Sequence, residues 1–169
     1  AVRMSHPVAD LRSRLAADGL VTAIFTGGIY ASQAGGAGGG VHPINPTDTP
    51  DAYTVDGDSQ VRLLDPCILL TVQSENPVGA GGCGRQIIVR VEGYQRDGYS
   101  SIRDGFARVR QLLHKTQSTF TGVDASVGYY IEYLDTPFQN LTDASLVTGA
   151  EKRPACFEAA RYVVITEYE

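Results

Sequence analysis

A chain of 169 residues with 43% hydrophobic and 20% charged residues has the size and composition of one globular domain, expected here over residues 1–169. Its formal net charge of -5 argues against a surface dedicated to holding nucleic-acid phosphates. Three cysteines without CxxC spacing predict free thiols rather than a disulfide framework or a zinc site. No run of 18 apolar residues is present, so we expect no membrane span.

The first predicted element is a short amphipathic helix. Pro7 suits a first helical turn, and Leu11 and Leu15 follow at helical spacing. Gly19 is a natural stop after the last apolar residue of this pattern. Residues 20–25 are predicted to add another turn or two before a short extended piece.

Two segments are predicted to be long loops. Residues 32–60 contain the run GGAGGG and show weak periodicity, and a loop of this length inside a compact domain is often functional. Because residues 33–59 are poor in large apolar residues, we expect this loop to contact assembly partners rather than form part of the fold. Deletion of residues 34–40 should then leave the subunit folded but impair assembly. Residues 136–154, polar and turn-rich, are interpreted as the second loop.

A strand followed by a long helix forms the predicted centre of the fold. Residues 85–93 alternate in polarity, which is typical of a half-buried strand. The apolar residues on one face of this strand are Ile87, Val89 and Val91. The helix predicted over residues 101–114 has its apolar residues at helical spacing, and we expect Phe106 and Val109 to pack on that face.

The start and the middle of this helix carry two local signals. Ser101 followed by Asp104 resembles a capping box, in which a hydroxyl accepts a hydrogen bond from a backbone N–H of the first turn. Gly105 costs roughly 1 kcal/mol relative to Ala inside a helix. Its presence predicts a close-packed neighbour on that side.

Three further strands complete the predicted fold. They are expected at residues 67–73, 128–134 and 156–168, and residues 116–127 are expected to form a loop. The predicted class is therefore α+β, with an antiparallel sheet of about four main strands. An N-terminal helix and one long helix pack on one face of that sheet.

Motifs that would indicate chemistry are incomplete. GGAGGG lacks the Lys and Ser/Thr that a phosphate-binding loop needs directly after its glycines. His6, His42 and His114 are isolated in sequence, without the paired spacing of zinc ligands. The acidic residues near Gly57 lack the closing Glu of a calcium-binding EF-hand loop. We therefore expect no catalytic residues, no cofactor, no metal and no enzymatic activity.

The order of elements resembles a family of virion proteins. The N-terminal helix, the apolar turn and the GGIY step at residues 27–30 resemble the opening of the tail terminator, or tail completion, proteins of tailed bacteriophages. The Pro-led strand PCILL at residues 66–70 and the strand at 85–93 follow in the same order. The Gly98-Tyr99 step, the long helix and a last strand at residues 160–167 complete the likeness. The departures from the family pattern are the two long loops.

The resemblance implies a structural role in the virion. Tail terminators form a ring, usually a hexamer, that caps the head-proximal end of the tail tube and ends tube polymerisation. The expected partners are further copies of this chain, the tail tube protein and the head-side connector or stopper. The genome would pass through the lumen without specific binding, and the protein would be made in the host cytoplasm.

Several residues are candidates for contacts in such an assembly. Glycine-rich loops and a mixed second sheet face provide most of them, and tyrosine is enriched at protein interfaces. The candidates are Gly35, Gly36, Gly38, Gly39, Gly40, His42, Tyr53, Gly81, Gly82, Ile88, Tyr162 and Val164. Alternative functions are another neck ring protein (an adaptor or stopper), a tail tube subunit, a small ligand-binding module or a small enzyme.

Overall fold

The structure is a computed structural model, and it describes residues 6–32, 50–55, 57, 62–79, 84–122, 125–148 and 153–167. The helices are α1 (Pro7–Ala17), α2 (Gly19–Ile24) and α3 (Ser100–Leu113), with a 3-10 turn at Pro50–Ala52. The strands are β1 (Ile29–Ser32), β2 (Tyr53–Val55), β3 (Arg62–Leu64), β4 (Cys67–Val78), β5 (Gly84–Gln95), β6 (Thr116–Thr121), β7 (Ser126–Thr148) and β8 (Arg153–Thr166). In the described residues, no helix is long and apolar enough to cross a membrane.

The main sheet has six strands in the order β1-β4-β5-β8-β7-β6, so the expectation of about four was too low. Its pairs are antiparallel except for β1 with β4. One added strand is β6, which occupies part of the loop predicted at residues 116–127. The sequence of β6, TQSTFT, has one large apolar residue, and this leaves too little alternation to reveal a strand.

The loop predicted at residues 136–154 is another correction. Most of the predicted loop is strand instead: β7 continues through it to Thr148, and β8 starts at Arg153. The two strands pair through Phe138 with Ala159 and Leu141 with Phe157. Four irregularities interrupt this register after Tyr133. Extra bulged residues in one strand break the period of two, so the sequence pattern does not show the pairing.

All three helices pack on one face of the sheet, which was predicted for the N-terminal helix and for the long helix. Val109 belongs to one buried cluster with the apolar face of β5, and Phe106 packs against that cluster, as expected. Members of the cluster include Leu11 and Leu15 of α1, Val109 and Leu113 of α3, and Ile87, Val89 and Val91 of β5. Burial of these side chains is the main stabilising contribution to the subunit.

Helix α1 contacts both edge strands of the sheet. The Arg12 Nε donates a 2.9 Å hydrogen bond to the Ile29 carbonyl oxygen in β1. The Asp10 carboxylate accepts a 2.9 Å hydrogen bond from the Ser118 hydroxyl in β6. Since one short helix reaches both edges, the sheet must curl around the helices.

The start of α3 differs from the predicted capping box. The N-cap residue is Tyr99 rather than Ser101, and its side chain makes no capping hydrogen bond. Instead, Oε1 of Gln95 in β5 accepts hydrogen bonds from the backbone N–H groups of Ser101 at 3.0 Å and Ile102 at 3.3 Å. The close neighbour expected at Gly105 is present, because a Cβ there would lie 2.1 Å from the Phe25 ring.

Part of the long predicted loop belongs to the fold. Residues Pro50–Ala52 and β2, which lie inside the 32–60 segment, form structure, and β2 pairs with β3. Ala52 and Leu64 are fully buried together with Cys67 and Tyr94. Burial raises the pKa of the Cys67 thiol to about 12, so this thiol stays protonated at neutral pH.

Candidate assembly surface

The sheet face opposite the helices, called here the outer face, is a candidate functional site. Directly paired residues of antiparallel strands share a face of the sheet. Ile88 of β5 pairs with Val163 of β8, and Gln86 pairs with Ile165. Because Ile87 and Val89 lie in the core under the helices, Ile88 and its partners point to the other side.

One end of the outer face is covered within the subunit. Residues Ala52 and Leu64, from the 3-10 turn and β3, pack over Leu69 and Tyr94. The Tyr94 ring lies 5.1 Å from the Phe157 ring, centroid to centroid. This end is therefore a second small core, enclosed by residues of the 3-10 turn and of β3.

The middle of the outer face holds matched charges. Arg90 and Glu92 form an ion pair at 3.1 Å, and the Tyr94 hydroxyl donates a 3.0 Å hydrogen bond to Glu92. Arg161 forms a bidentate pair with Asp135, and its hydrogen bonds hold the pKa of that carboxyl below the usual value. Each arginine has its carboxylate, so the middle of the face presents little net charge.

The Arg90 guanidinium is further held by an aromatic ring. Its central carbon lies 4.7 Å from the centroid of the Phe138 ring, a geometry that allows a cation–π interaction. Among the described residues, its Nε has no hydrogen-bond partner. Phe138 thus packs the bulged part of β7 onto β5 and β8.

The other end of the outer face is open and apolar. Its residues, called here the apolar patch, are Ile88, Tyr130, Val163 and Ile165. Ile165 is 44% exposed, and the other three are half-buried. These residues come from three adjacent strands, so they form one continuous surface. The apolar patch is therefore the candidate contact surface of the outer face.

An open groove of about 530 Å³ adjoins the apolar patch. Tyr130 and Ile165 form its apolar side, and Gln117 and Thr119 of β6 form a polar side. Gly128 lies at the groove, and the Glu167 carboxylate occupies the space that a side chain at this position would need. Glu167 is the charged residue among the described residues that line the groove.

The predicted contact residues lie partly on the outer face, partly in the two cores and partly outside the described residues. Ile88 lies on the outer face, and Tyr53 is half-buried beside the second core. Tyr162 and Val164 are 1% and 0% exposed in the core under the helices, so they cannot contribute side chains to a surface. The prediction that Tyr162 and Val164 contact assembly partners is therefore wrong. The remaining candidates lie outside the described residues: Gly35, Gly36, Gly38, Gly39, Gly40, His42, Gly81 and Gly82.

The residues of β8 that the sequence reasoning missed are Val163 and Ile165. In β8 both alternating sets contain apolar side chains, so polarity alone cannot say which set is buried. The informative signal is the register with β5, where Ile88 lies opposite Val163. That register depends on how the strands pair and is absent from local sequence.

Two of the three histidines have structural partners. His6 accepts a 3.3 Å hydrogen bond from the Val8 N–H at the start of α1, and His114 accepts a 2.9 Å bond from the Tyr133 N–H. His42 lies outside the described residues. Within the described part of the chain, no group of three His, Cys, Asp or Glu residues is placed to hold a metal ion.

Comparisons with known proteins identify a similar fold. No family model and no curated protein matches the sequence. Among solved structures, the chain is similar to a chain of the virion of a native gene transfer agent particle, with a TM-score of 0.50. The match covers 96% of this chain and 100% of the other, at 10% sequence identity. The similarity shows a shared fold over nearly the whole length.

Proposed function

We propose that this protein is a virion structural protein that acts as a tail terminator. It forms a ring at the head-proximal end of the tail tube, ends tube polymerisation and joins the tail to the head connector. The observation that carries the proposal is the whole-length similarity in fold to a chain of a gene transfer agent virion. The order of elements, which resembles that of tail terminators, gives the finer assignment.

The surface of the subunit supports an assembly role. The apolar patch leaves Ile165 substantially exposed, and burial of such a side chain against a partner is favourable. The two arginines in the middle of the outer face are paired with carboxylates within the subunit, so a partner would not have to bury an uncompensated arginine there. A protein that works by assembly needs such a surface, whereas an enzyme needs a reactive cluster.

The partners follow from this role. We propose copies of the same chain, in a ring of about six, together with the tail tube protein and the head-side connector or stopper. The genome passes through the lumen without specific binding, consistent with the net charge of -5. The protein acts without enzymatic activity, cofactor or metal, and its place is the neck of the virion.

Mass measurement and tube capping test the proposal together. Light scattering should give a particle of about six 18.1 kDa subunits, either free or after addition of tail tubes. Electron microscopy should then show one ring at one end of each tube and tubes that no longer lengthen. A protein that polymerises into tubes by itself would instead be a tube subunit. One that binds the head connector but never the tube would be an adaptor or stopper.

A further inference from the structure

We propose that a cavity between α3 and the strands β7 and β8, called here the α3 cavity, binds a small monocarboxylate anion. Its lining includes Phe106 and Arg110 of α3, Tyr133 and Thr136 of β7, and Ala160 and Tyr162 of β8. Such a site goes beyond the tail terminator role and is independent of it, because the residues that form it all belong to one subunit.

Arg110 is the cationic group of the α3 cavity. Its guanidinium carbon lies 4.0 Å from the centroid of the Tyr133 ring, and this contact holds the charge at the cavity. Arg103 and Arg108 of the same helix form ion pairs with carboxylates of the subunit, at 2.9 Å and 2.7 Å. Among the described residues, Arg110 has no carboxylate partner, and none of those that line the cavity is acidic. The charge of Arg110 is therefore available to an anion from outside the chain.

The Tyr162 hydroxyl is a buried donor that the subunit does not use. Tyr162 is 1% exposed, and its ring meets the Tyr133 ring edge to face, 5.7 Å between centroids. Within the described part of the chain its hydroxyl has no hydrogen-bond partner, whereas buried hydroxyls ordinarily have one. Burial raises the pKa of Tyr162, so this hydroxyl stays protonated at neutral pH and can donate to a ligand in the cavity.

The bulged part of β7 supplies one more donor. In a regular strand, Tyr133 and Thr136 would point to opposite faces, because they are three residues apart. The register shifts after Tyr133 bring both side chains to the cavity, where their hydroxyl oxygens lie 2.7 Å apart. One hydrogen bond between two hydroxyls uses one of their two hydrogens. The second hydrogen is left for an acceptor on a ligand.

These groups select a small carboxylate by geometry and size. A planar guanidinium donates two parallel hydrogen bonds to a carboxylate, and the hydroxyl donors can reach its remaining lone pairs. The cavity holds about 140 Å³, several times the roughly 30 Å³ of one water and below the roughly 300–1,000 Å³ of sites for drug-sized ligands. Phe106 and Ala160 add an apolar wall that suits a short alkyl chain. One cation in the lining matches a monoanion.

Titration of the purified protein with sodium propionate tests the site, with sodium chloride at equal ionic strength as the control. In protein labelled with ¹³C in its tyrosine rings, propionate should shift the NMR signals of Tyr133 and Tyr162 saturably, and chloride should not. Propionate should also raise the thermal midpoint. Arg110→Gln should abolish the saturable shift. Arg110→Lys keeps the charge without the planar fork, so it should bind propionate more weakly than wild type.

Two tyrosine variants separate binding from a structural role. Tyr162→Phe should weaken propionate binding about tenfold, the loss expected for one hydrogen bond to a charged group, when binding is followed at Tyr133. Because the lost hydroxyl is unpartnered, the thermal midpoint should not fall. Tyr129→Phe is the matched control, since Tyr129 is also buried but its hydroxyl bonds to Arg14 and Asp10. It should lower the midpoint and leave propionate binding unchanged.

Three results would overturn the carboxylate site. The first is a shift that rises linearly with propionate concentration or that chloride reproduces. The second is undiminished propionate binding by Arg110→Gln. The third is a loss of thermal stability in Tyr162→Phe as large as that in Tyr129→Phe, because it would show that the Tyr162 hydroxyl has its partner inside the subunit.

Discussion

The two faces of the sheet differ in how deeply their apolar side chains are buried, although both faces carry similar residues. Ile87 and Ile88 are neighbours in β5 with the same side chain, yet Ile87 is fully buried under the helices and Ile88 is half-buried on the outer face. On the outer face Ala52 and Leu64 cover the end near Tyr94, whereas Ile165 at the other end is exposed. The same residue type is therefore buried on one face and partly exposed on the other, and the tertiary fold decides which.

The largest expected effect is a difference in unfolding free energy between the alanine variants of Ile87 and Ile88. Ile87→Ala removes buried methyl groups from a closed core and should cost about 2–5 kcal/mol of unfolding free energy. Ile88→Ala, the matched control, should cost less than about 1 kcal/mol in the isolated subunit. Urea unfolding of both variants measures the difference. Equal losses would mean that the outer face is as well packed as the helix face.

A second prediction concerns the helix layer over the core. Gly105→Ala places a Cβ about 2.1 Å from the Phe25 ring, so either the ring or the helix must move. Overpacking of this kind costs about 1–3 kcal/mol, even though alanine favours the helix. Gly19→Ala is the control, since no atom lies within 4 Å of its added Cβ, and it should be neutral or slightly stabilising. A stabilised Gly105→Ala protein would show that α2 and α3 do not pack this closely.

A third prediction tests how the helix layer is attached to the sheet. Gln95→Ala removes the acceptor that β5 supplies to the first turn of α3, and it should cost about 1 kcal/mol. Ser101→Ala, at the position of the capping box predicted from sequence, should cost less than about 0.5 kcal/mol. Denaturant midpoints rank the two variants. A larger loss of stability for Ser101→Ala than for Gln95→Ala would show that the capping box within α3, and not Gln95, caps the helix.

The smallest expected effect is the pH dependence of the α2 anchor. Hydrogen bonds from Arg108 and from the Val21 N–H lower the pKa of Asp18 from 3.8 to about 2. Because the folded pKa is the lower one, the stabilisation is complete above about pH 4 and is lost as the pH falls through 2. Asp18→Asn keeps a capping oxygen but lacks this titration.

Thermal midpoints measured from pH 5 to pH 2 test this prediction. The wild-type curve should fall more steeply than the Asp18→Asn curve as Asp18 becomes protonated, and the two should converge at the acid end. Parallel curves over the whole range would show that the Arg108 contact contributes nothing to the folded state.

Local sequence patterns were sufficient to predict the elements whose apolar spacing lies within one helix or strand. The spacing of Leu11 and Leu15 and the alternation of Ile87, Val89 and Val91 are repeated within one helix or strand, so α1, α3 and β5 were predicted close to their observed limits. The helix packing on one face and the close neighbour at Gly105 also follow from such patterns.

The tertiary structure alone decided the features that depend on distant residues. Strand β6 and the bulged part of β7 form because a neighbouring strand satisfies their backbone groups, which their polar sequences do not reveal. Gln95 caps a helix from another element, and the register of β5 with β8 places Val163 and Ile165 outside and Tyr162 and Val164 inside. A shift of one residue in that register would exchange the two faces, and no local pattern specifies it.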